Sequence, residues 1–128
     1  MLLDTHAWAY SIIDDRKLGR GVKQAMNEAA AILISPISVF EIAQKVRLGK
    51  WKQMEAVHEE LPALVTNLGS SIATLSPEIC LSAAKLDWLN RDPFDRILAA
   101  TAMHYGAALI SADTAFDTLP KGMLKRIW

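Results

Sequence analysis

The sequence predicts an α/β protein in which a short parallel sheet is covered on both faces by helices. Three observations predict it. Compact runs such as Ala30-Ala31-Ile32-Leu33-Ile34 and Ala107-Ala108-Leu109-Ile110 are nearly continuous in apolar residues, as strands buried on both faces are. Stretches of helical length separate these runs, which is the βαβ order of a parallel sheet. The first run and a further candidate, Ser71-Ile72-Ala73-Thr74-Leu75, each stop at Ser-Pro, a helix-start signal with Ser as N-cap and Pro at the first helical position.

Taken in order, Met1-Leu2-Leu3 is a very short first strand that ends abruptly at Asp4. Only three residues precede that acid, so either the chain starts further upstream or the strand is minimal. Thr5 to Ile13 reads as a helix with Thr5 as N-cap, and Asp14-Asp15-Arg16-Lys17 breaks it. Leu18 to Ala31 reads as a second helix, and Ala30–Ile34 as the second strand. The Ser35-Pro36 helix runs to about Leu48, where Gly49 supplies the stop. Met54 to Leu68 reads as another helix with Pro62 as a kink, before the strand Ser71–Leu75. Ser76-Pro77 opens a helix to about Trp88, and Asp92-Pro93 opens one that ends at Tyr105 before Gly106. Ala107–Ile110 is the next strand, and Leu124 to Trp128 an edge strand.

The chain of 128 residues suits one domain spanning 1–128 with a proper core. Lys+Arg and Asp+Glu both number 14, so no global positive field steers it to nucleic acid. A nucleic-acid role must then come from a local basic patch or from metal ions. The single cysteine, Cys80, excludes an internal disulfide. Its apolar neighbours Leu81, Ala84 and Leu86 suggest a buried, inert thiol in a reducing cytoplasm. No apolar segment is long enough to span a bilayer, so no membrane role is expected.

Most of the eight Asp and six Glu fall in polar turns or on helix faces. Four do not. Asp4 and Asp113 each follow closely on a buried strand, and parallel strands would bring both to the carboxyl edge, where open α/β sheets bind ligands. The plainer explanation for each is an N-cap. Glu41 lies opposite the apolar face of Val39, Ile42, Ala43 and Val46, yet among Ile37, Phe40 and Leu48. A carboxylate among apolar neighbours is costly unless it is paired or bound to a cation; its plainer explanation is an ion pair with Lys45 at i+4. Asp95 shares a helix side with Leu98, Ala99 and Ala102, the side expected to face the sheet. A capping box from Asp92 would also use it. Four oxygen donors without clustered His or Cys favour Mg²⁺ or Mn²⁺ over zinc.

The ordered set Leu-Leu-Asp4-Thr-His, Ile-Ser-Val-Phe-Glu41-Ile-Ala, Asp92-Pro-Phe-Asp95-Arg-Ile-Leu-Ala-Ala and Ser111-Ala-Asp113 closely resembles PIN-domain proteins. The likeness is greatest to VapC-type ribonuclease toxins of toxin–antitoxin pairs and runs from Leu2 to Trp128. It implies a PIN-like three-layer α/β/α fold. It also implies that Asp4, Glu41, Asp95 and Asp113 hold Mg²⁺ (or Mn²⁺) for hydrolysis of an RNA phosphodiester. A small antitoxin protein and a homodimer are the partners it implies. Thr5, Ser38 and Ser111 stand beside the acids and are placed to orient them or a bound water, with Asp117 as a further outer candidate.

Lys45, Arg47, Lys50 and Lys52 form the best basic patch, and Arg96 is a second candidate for RNA phosphates. The cations at a helix C-terminus also have the plainer role of complementing its dipole. His6, His58 and His104 lack metal-ligand spacing, and His6 is expected to be structural. The four tryptophans read as core or dimer anchors. Two other functions compete. A phosphatase using Asp4 as nucleophile would need a second Asp two residues on, where the chain has His6. A catalytically silent PIN-like binding module is opposed only by the complete acid set.

Overall fold

The computed structural model describes residues 1–67 and 69–128. Among them are five two-residue strands: β1 (Leu2–Leu3), β2 (Leu33–Ile34), β3 (Ser71–Ile72), β4 (Leu109–Ile110) and β5 (Arg126–Ile127). They form one sheet in the order β3-β2-β1-β4-β5, with every pairing parallel. The helices are α1 (Thr5–Ile13), α2 (Arg20–Glu28), α3 (Pro36–Arg47), α4 (Leu61–Asn67), α5 (Pro77–Lys85) and α6 (Pro93–His104).

Strand side chains alternate between faces, and the core divides accordingly. Leu3, Ile34 and Ile110 point to one side, where they meet Trp8 of α1, Val22 of α2, Ile42 of α3 and Leu61 and Val65 of α4. Leu2 and Leu109, with the partly buried Leu33, point to the other, against Leu98, Ala99 and Ala102 of α6 and Phe116. Helix α5 lies on α6 through Ile79, Ala83 and Ala100. Both faces of the sheet are therefore covered, which explains the continuous apolar runs and gives the expected three-layer α/β/α arrangement.

Several boundaries differ from the sequence reading. The strands are shorter than their apolar runs. Helix α2 runs from Arg20, capped by Gly19, to Glu28, and not from Leu18 to Ala31. The expected helix Met54–Leu68 is instead two 3₁₀ turns, Lys52–Met54 and His58–Glu60, followed by α4. Pro62 lacks an N–H, so it suits the first turn of α4, where no intrahelical donor is needed. Leu68, the expected last residue, lies outside the described residues. Cys80 is exposed, not buried. Ile79 and Ala83 make the inward stripe of α5, and a residue one step along a helix is turned about 100° away.

Candidate active site

Strand β1 is the switch point of the sheet. The chain builds β2 and β3 on one side of it and β4 and β5 on the other, so a crevice opens at the carboxyl ends of β1 and β4. Asp4 leaves the end of β1 and Asp113 follows β4. Glu41 stands in α3, which rises from β2, and Asp95 lies in the first turn of α6. All four line one cleft of about 170 Å³, together with Thr5, His6, Lys45, Asp92 and Leu98. The cleft has room for ions, water and a phosphate oxygen.

The capping explanations for the strand-end acids hold as well. Asp4, not Thr5, caps α1: its Oδ1 accepts from the Ala7 N–H at 2.6 Å. Asp113 Oδ1 accepts from the Ala115 N–H at 2.8 Å and starts the 3₁₀ turn Thr114–Thr118. In each case the cap fixes the carboxylate while the group still lines the cleft. Asp92 caps α6 through the Phe94 and Asp95 N–H groups. The capping-box expectation for Asp95 fails, because the Asp92 N–H donates to Asn90 Oδ1 at 2.8 Å. Asp95 is left facing the cleft, where its Oδ2 accepts from Asn90 Nδ2 at 2.8 Å. Asn90, which sequence reasoning missed, thus ties the cap to the acid; its position in the polar link before Asp92 was the available signal.

Burial and like charge act together on these acids. Burial pushes the Asp4 carboxyl above its ordinary range, hydrogen bonds from the Ser111 side chain and the Ala7 N–H oppose the shift, and Glu41 adds to it. Asp95 is pushed up to about 6, first by burial and then by the charges of Asp92, Asp113 and Glu41. Glu41 is buried and pairs with Lys45, Nζ to Oε1, at 2.6 Å. The ion-pair explanation for Glu41 is thus realised, inside the cleft and not on a solvated face. Among the described residues no three of the acidic, histidine or cysteine side chains form a ready-made metal cage.

The supporting residues divide. Thr5 and Ser38 are buried, and the Thr5 hydroxyl donates to Ser38 Oγ at 3.1 Å, joining α1 to α3 beside the acids. Ser111 is buried between the sites of Asp4 and Asp113 and accepts from the Asp113 N–H at 3.0 Å. Asp117 is not part of this group: Arg126 holds both its oxygens, at 2.9 and 2.6 Å. Arg96 is not available to phosphate either. Its guanidinium donates to the carbonyls of Ala83, Trp88, Asn90, Ala84 and Leu86, satisfying the open carbonyls at the end of α5 and fixing the loop that carries Asn90. Lys45 lines the acid cleft, Lys50 a neighbouring groove, and Arg47 a separate cavity beside Phe40. His6 is exposed at the cleft rim, and its ring packs 4.9 Å from that of Trp51.

Comparison with known proteins bears on the family and the fold. A family profile described as PIN domain matches residues 1–122. Ribonuclease VapC22 of Mycobacterium tuberculosis is 27% identical over 119 residues, covering 88% of this chain and 86% of that protein. A chain in the crystal structure of VapBC2 from Rickettsia felis bound to a DNA fragment from their promoter superposes with a TM-score of 0.70 at 19% identity, covering 98% of this chain and 96% of the other. A chain of FitAcB from Neisseria gonorrhoeae gives 0.63 at 18% identity, with 99% and 96% coverage. These structural likenesses are of fold. No described helix is long and apolar enough to cross a membrane.

Proposed function

The chain belongs to the PIN-domain family, and from that premise we propose that it is a single-domain, divalent-metal-dependent endoribonuclease acting as the toxin of a toxin–antitoxin pair in the cytoplasm. The observation that carries the reading is the meeting of Asp4, Glu41, Asp95 and Asp113, from four separate segments, in one cleft at the sheet's switch point. The name of the relative, Ribonuclease VapC22, supports the activity.

The residues fit Mg²⁺ or Mn²⁺. Their donors are all oxygen, and the ionised forms of Asp4 and Asp95 are disfavoured in the absence of a counter-charge. Side chains not closed into a cage suit a cation that keeps several of its own waters. When bound by Asp4, Glu41, Asp95 and Asp113, such a cation supplies an activated water and charge neutralisation at a phosphodiester. The protein's own contribution is positioning. Asn90 holds Asp95 by Oδ2, and among the described residues no hydrogen bond engages Oδ1. The Thr5–Ser38 hydrogen bond keeps the first turns of α1 and α3 in register, and with them Asp4 and Glu41. Lys45 brings a cation to an otherwise acidic wall, where it offsets the charge of Glu41 and orients a backbone phosphate.

A small antitoxin protein and a second copy of the chain are the proposed protein partners, supported by the resemblance to VapC-type toxins. Exposed Phe40, Leu48, Leu81 and Leu89 give apolar surface for such contacts. The test is cleavage of RNA in Mn²⁺ or Mg²⁺, with loss on chelation and in Asp4→Asn and Asp95→Asn. A silent module would bind RNA and leave it intact, and a phosphatase would hydrolyse a small phosphomonoester instead. In cells, expression of the chain alone should arrest growth, and the adjacent upstream reading frame should restore it. Normal growth at good expression counts against the toxin role.

A further inference from the structure

We propose that the groove beside the acid cleft is a subsite for one unpaired nucleotide of the RNA, adjacent to the phosphate held at the acids; this rests on the nuclease reading above. The groove is built by the end of α3. Gly49 takes a positive φ of 68°, and the Lys50 N–H returns to the Lys45 carbonyl at 2.8 Å. This reversal, which glycine adopts at little cost, turns Lys50 and Trp51 back towards α1. The Trp51 ring then lies 4.9 Å from that of His6, tilted by 30°. Exposed His6 is thereby backed by an indole and offers its outer face to solvent. Tyr10 stands 6.4 Å from His6 on the next turn of α1.

The resulting cavity is about 350 Å³, twice the acid cleft. It falls in the roughly 300–1,000 Å³ range of small-molecule sites. Its cations are Lys17, Lys45 and Lys50, and among the described residues no carboxylate lines it. Lys17 lies over the Tyr10 ring at 4.8 Å and Lys45 over Trp51 at 5.2 Å. Gln53 adds an amide that both donates and accepts. Aromatic faces among lysines are the means by which proteins hold single strands, bases stacking while cations follow the backbone.

Continuity selects RNA over an acidic peptide as the occupant. His6 and Lys45 line both the groove and the acid cleft. A nucleic acid strand with one phosphate at the acids therefore extends its neighbouring nucleotide past these two residues. The neutral overall charge of the chain makes such a local basic-aromatic surface the natural place for strand binding.

The experiment uses the full chain carrying Asp95→Asn to stop cleavage, and a labelled single-stranded oligoribonucleotide followed by fluorescence anisotropy. His6→Leu and Tyr10→Leu should each weaken binding roughly five- to a hundredfold, the range for loss of one stacked base. Lys50→Gln, on an exposed position, should lower the salt dependence of binding by about one ion. An abasic residue moved along the strand should weaken binding at one position beside the cleaved bond, and that penalty should vanish in Tyr10→Leu. Unchanged affinity in all three variants overturns the subsite, as does an abasic penalty of equal size with and without Tyr10. Normal RNA binding with loss of a protein partner would assign the groove to that partner and overturn it too. Failure of the parent chain to cleave any RNA would instead strike the nuclease reading, leaving the binding data to judge the groove.

Discussion

Asn90 grips Asp95 and the helix cap at once: its Nδ2 donates to Asp95 Oδ2 at 2.8 Å, and its Oδ1 accepts from the Asp92 N–H at the same distance. One amide therefore sets both the start of α6 and the direction of the carboxylate in that helix's first turn. Loss of the amide in Asn90→Ala should leave Asp95 present but unaimed. Partners of this kind contribute roughly 10–100-fold in metal affinity or activity. We expect RNA cleavage to fall by about that factor, with a higher Mn²⁺ requirement, as measured by metal titration of the cleavage rate. Asn90→Asp keeps the acceptor for Asp92 and replaces the donor with a charge, so it should be the worse variant.

Asp95 should make stability depend on pH. Its carboxyl ionises at about 6 in the folded chain against an ordinary value of 3.8. Between about pH 4 and 6 the native state holds more protons than the unfolded chain, so stability from this group falls as pH rises through that window. Below it the group costs nothing, and above it the cost is constant. Asp95→Asn removes the cost. Solvent screening of a half-buried carboxyl leaves about 1 kcal/mol, a gain of roughly 3–6 °C in Tm at pH 8, and little at pH 4. Mn²⁺ should raise the Tm of the parent at pH 8 by binding the native state, and raise that of the variant less.

Arg96 is an architectural residue, and its replacement should show this. Five carbonyl oxygens from α5 and the following loop accept from one guanidinium. Lysine offers three donors from a single point and cannot span them. Arg96→Lys should therefore cost roughly 1.5–3 kcal/mol, the range for hydrogen bonds to a charged group, read by chemical denaturation. If Arg96 held RNA phosphates, the same variant would weaken RNA binding without changing stability.

Arg96 owes its role to groups that a side-chain pattern does not display. Its partners are main-chain carbonyls, and those leave no trace in residue identity. The strands were legible because Leu3, Ile34 and Ile110 serve one core while Leu2, Leu33 and Leu109 serve the other, so no polar residue interrupts the runs. The helix starts at Pro36, Pro77 and Pro93 were legible because Ser35, Ser76 and Asp92 cap them as their chemistry dictates. Residues 52–60 were not. Their apolar members Met54 and Val57 both reach the core at helical spacing, yet the chain meets that need with 3₁₀ turns. The exposure of His6 is not legible, because Thr5, Ala7, Trp8 and Ala9 around it are all buried, and a helix so nearly enclosed exposes only one narrow stripe. The acids were legible as a set, and their shared cleft depends on strand order, which residue pattern alone does not fix.

Asp4 carries two duties that substitution should separate. Its Oδ1 caps α1 at the Ala7 N–H, and its burial makes ionisation unfavourable. Asparagine caps about as well as aspartate, keeps an oxygen for the Ala7 N–H and removes the buried charge. Asp4→Asn should therefore match or exceed the parent in Tm at pH 8 while losing cleavage. Alanine removes cap and charge together. Loss of the cap costs roughly 0.5–2 kcal/mol, so Asp4→Ala should be inactive and less stable than Asp4→Asn by that amount, measured by denaturation with the two variants side by side. Equal stability of the two would mean that the cap contributes nothing, and an active Asp4→Asn would remove Asp4 from the chemistry. The result expected here, a folded and inactive Asp4→Asn, is the one that assigns the carboxylate's charge to function and its oxygen to the fold.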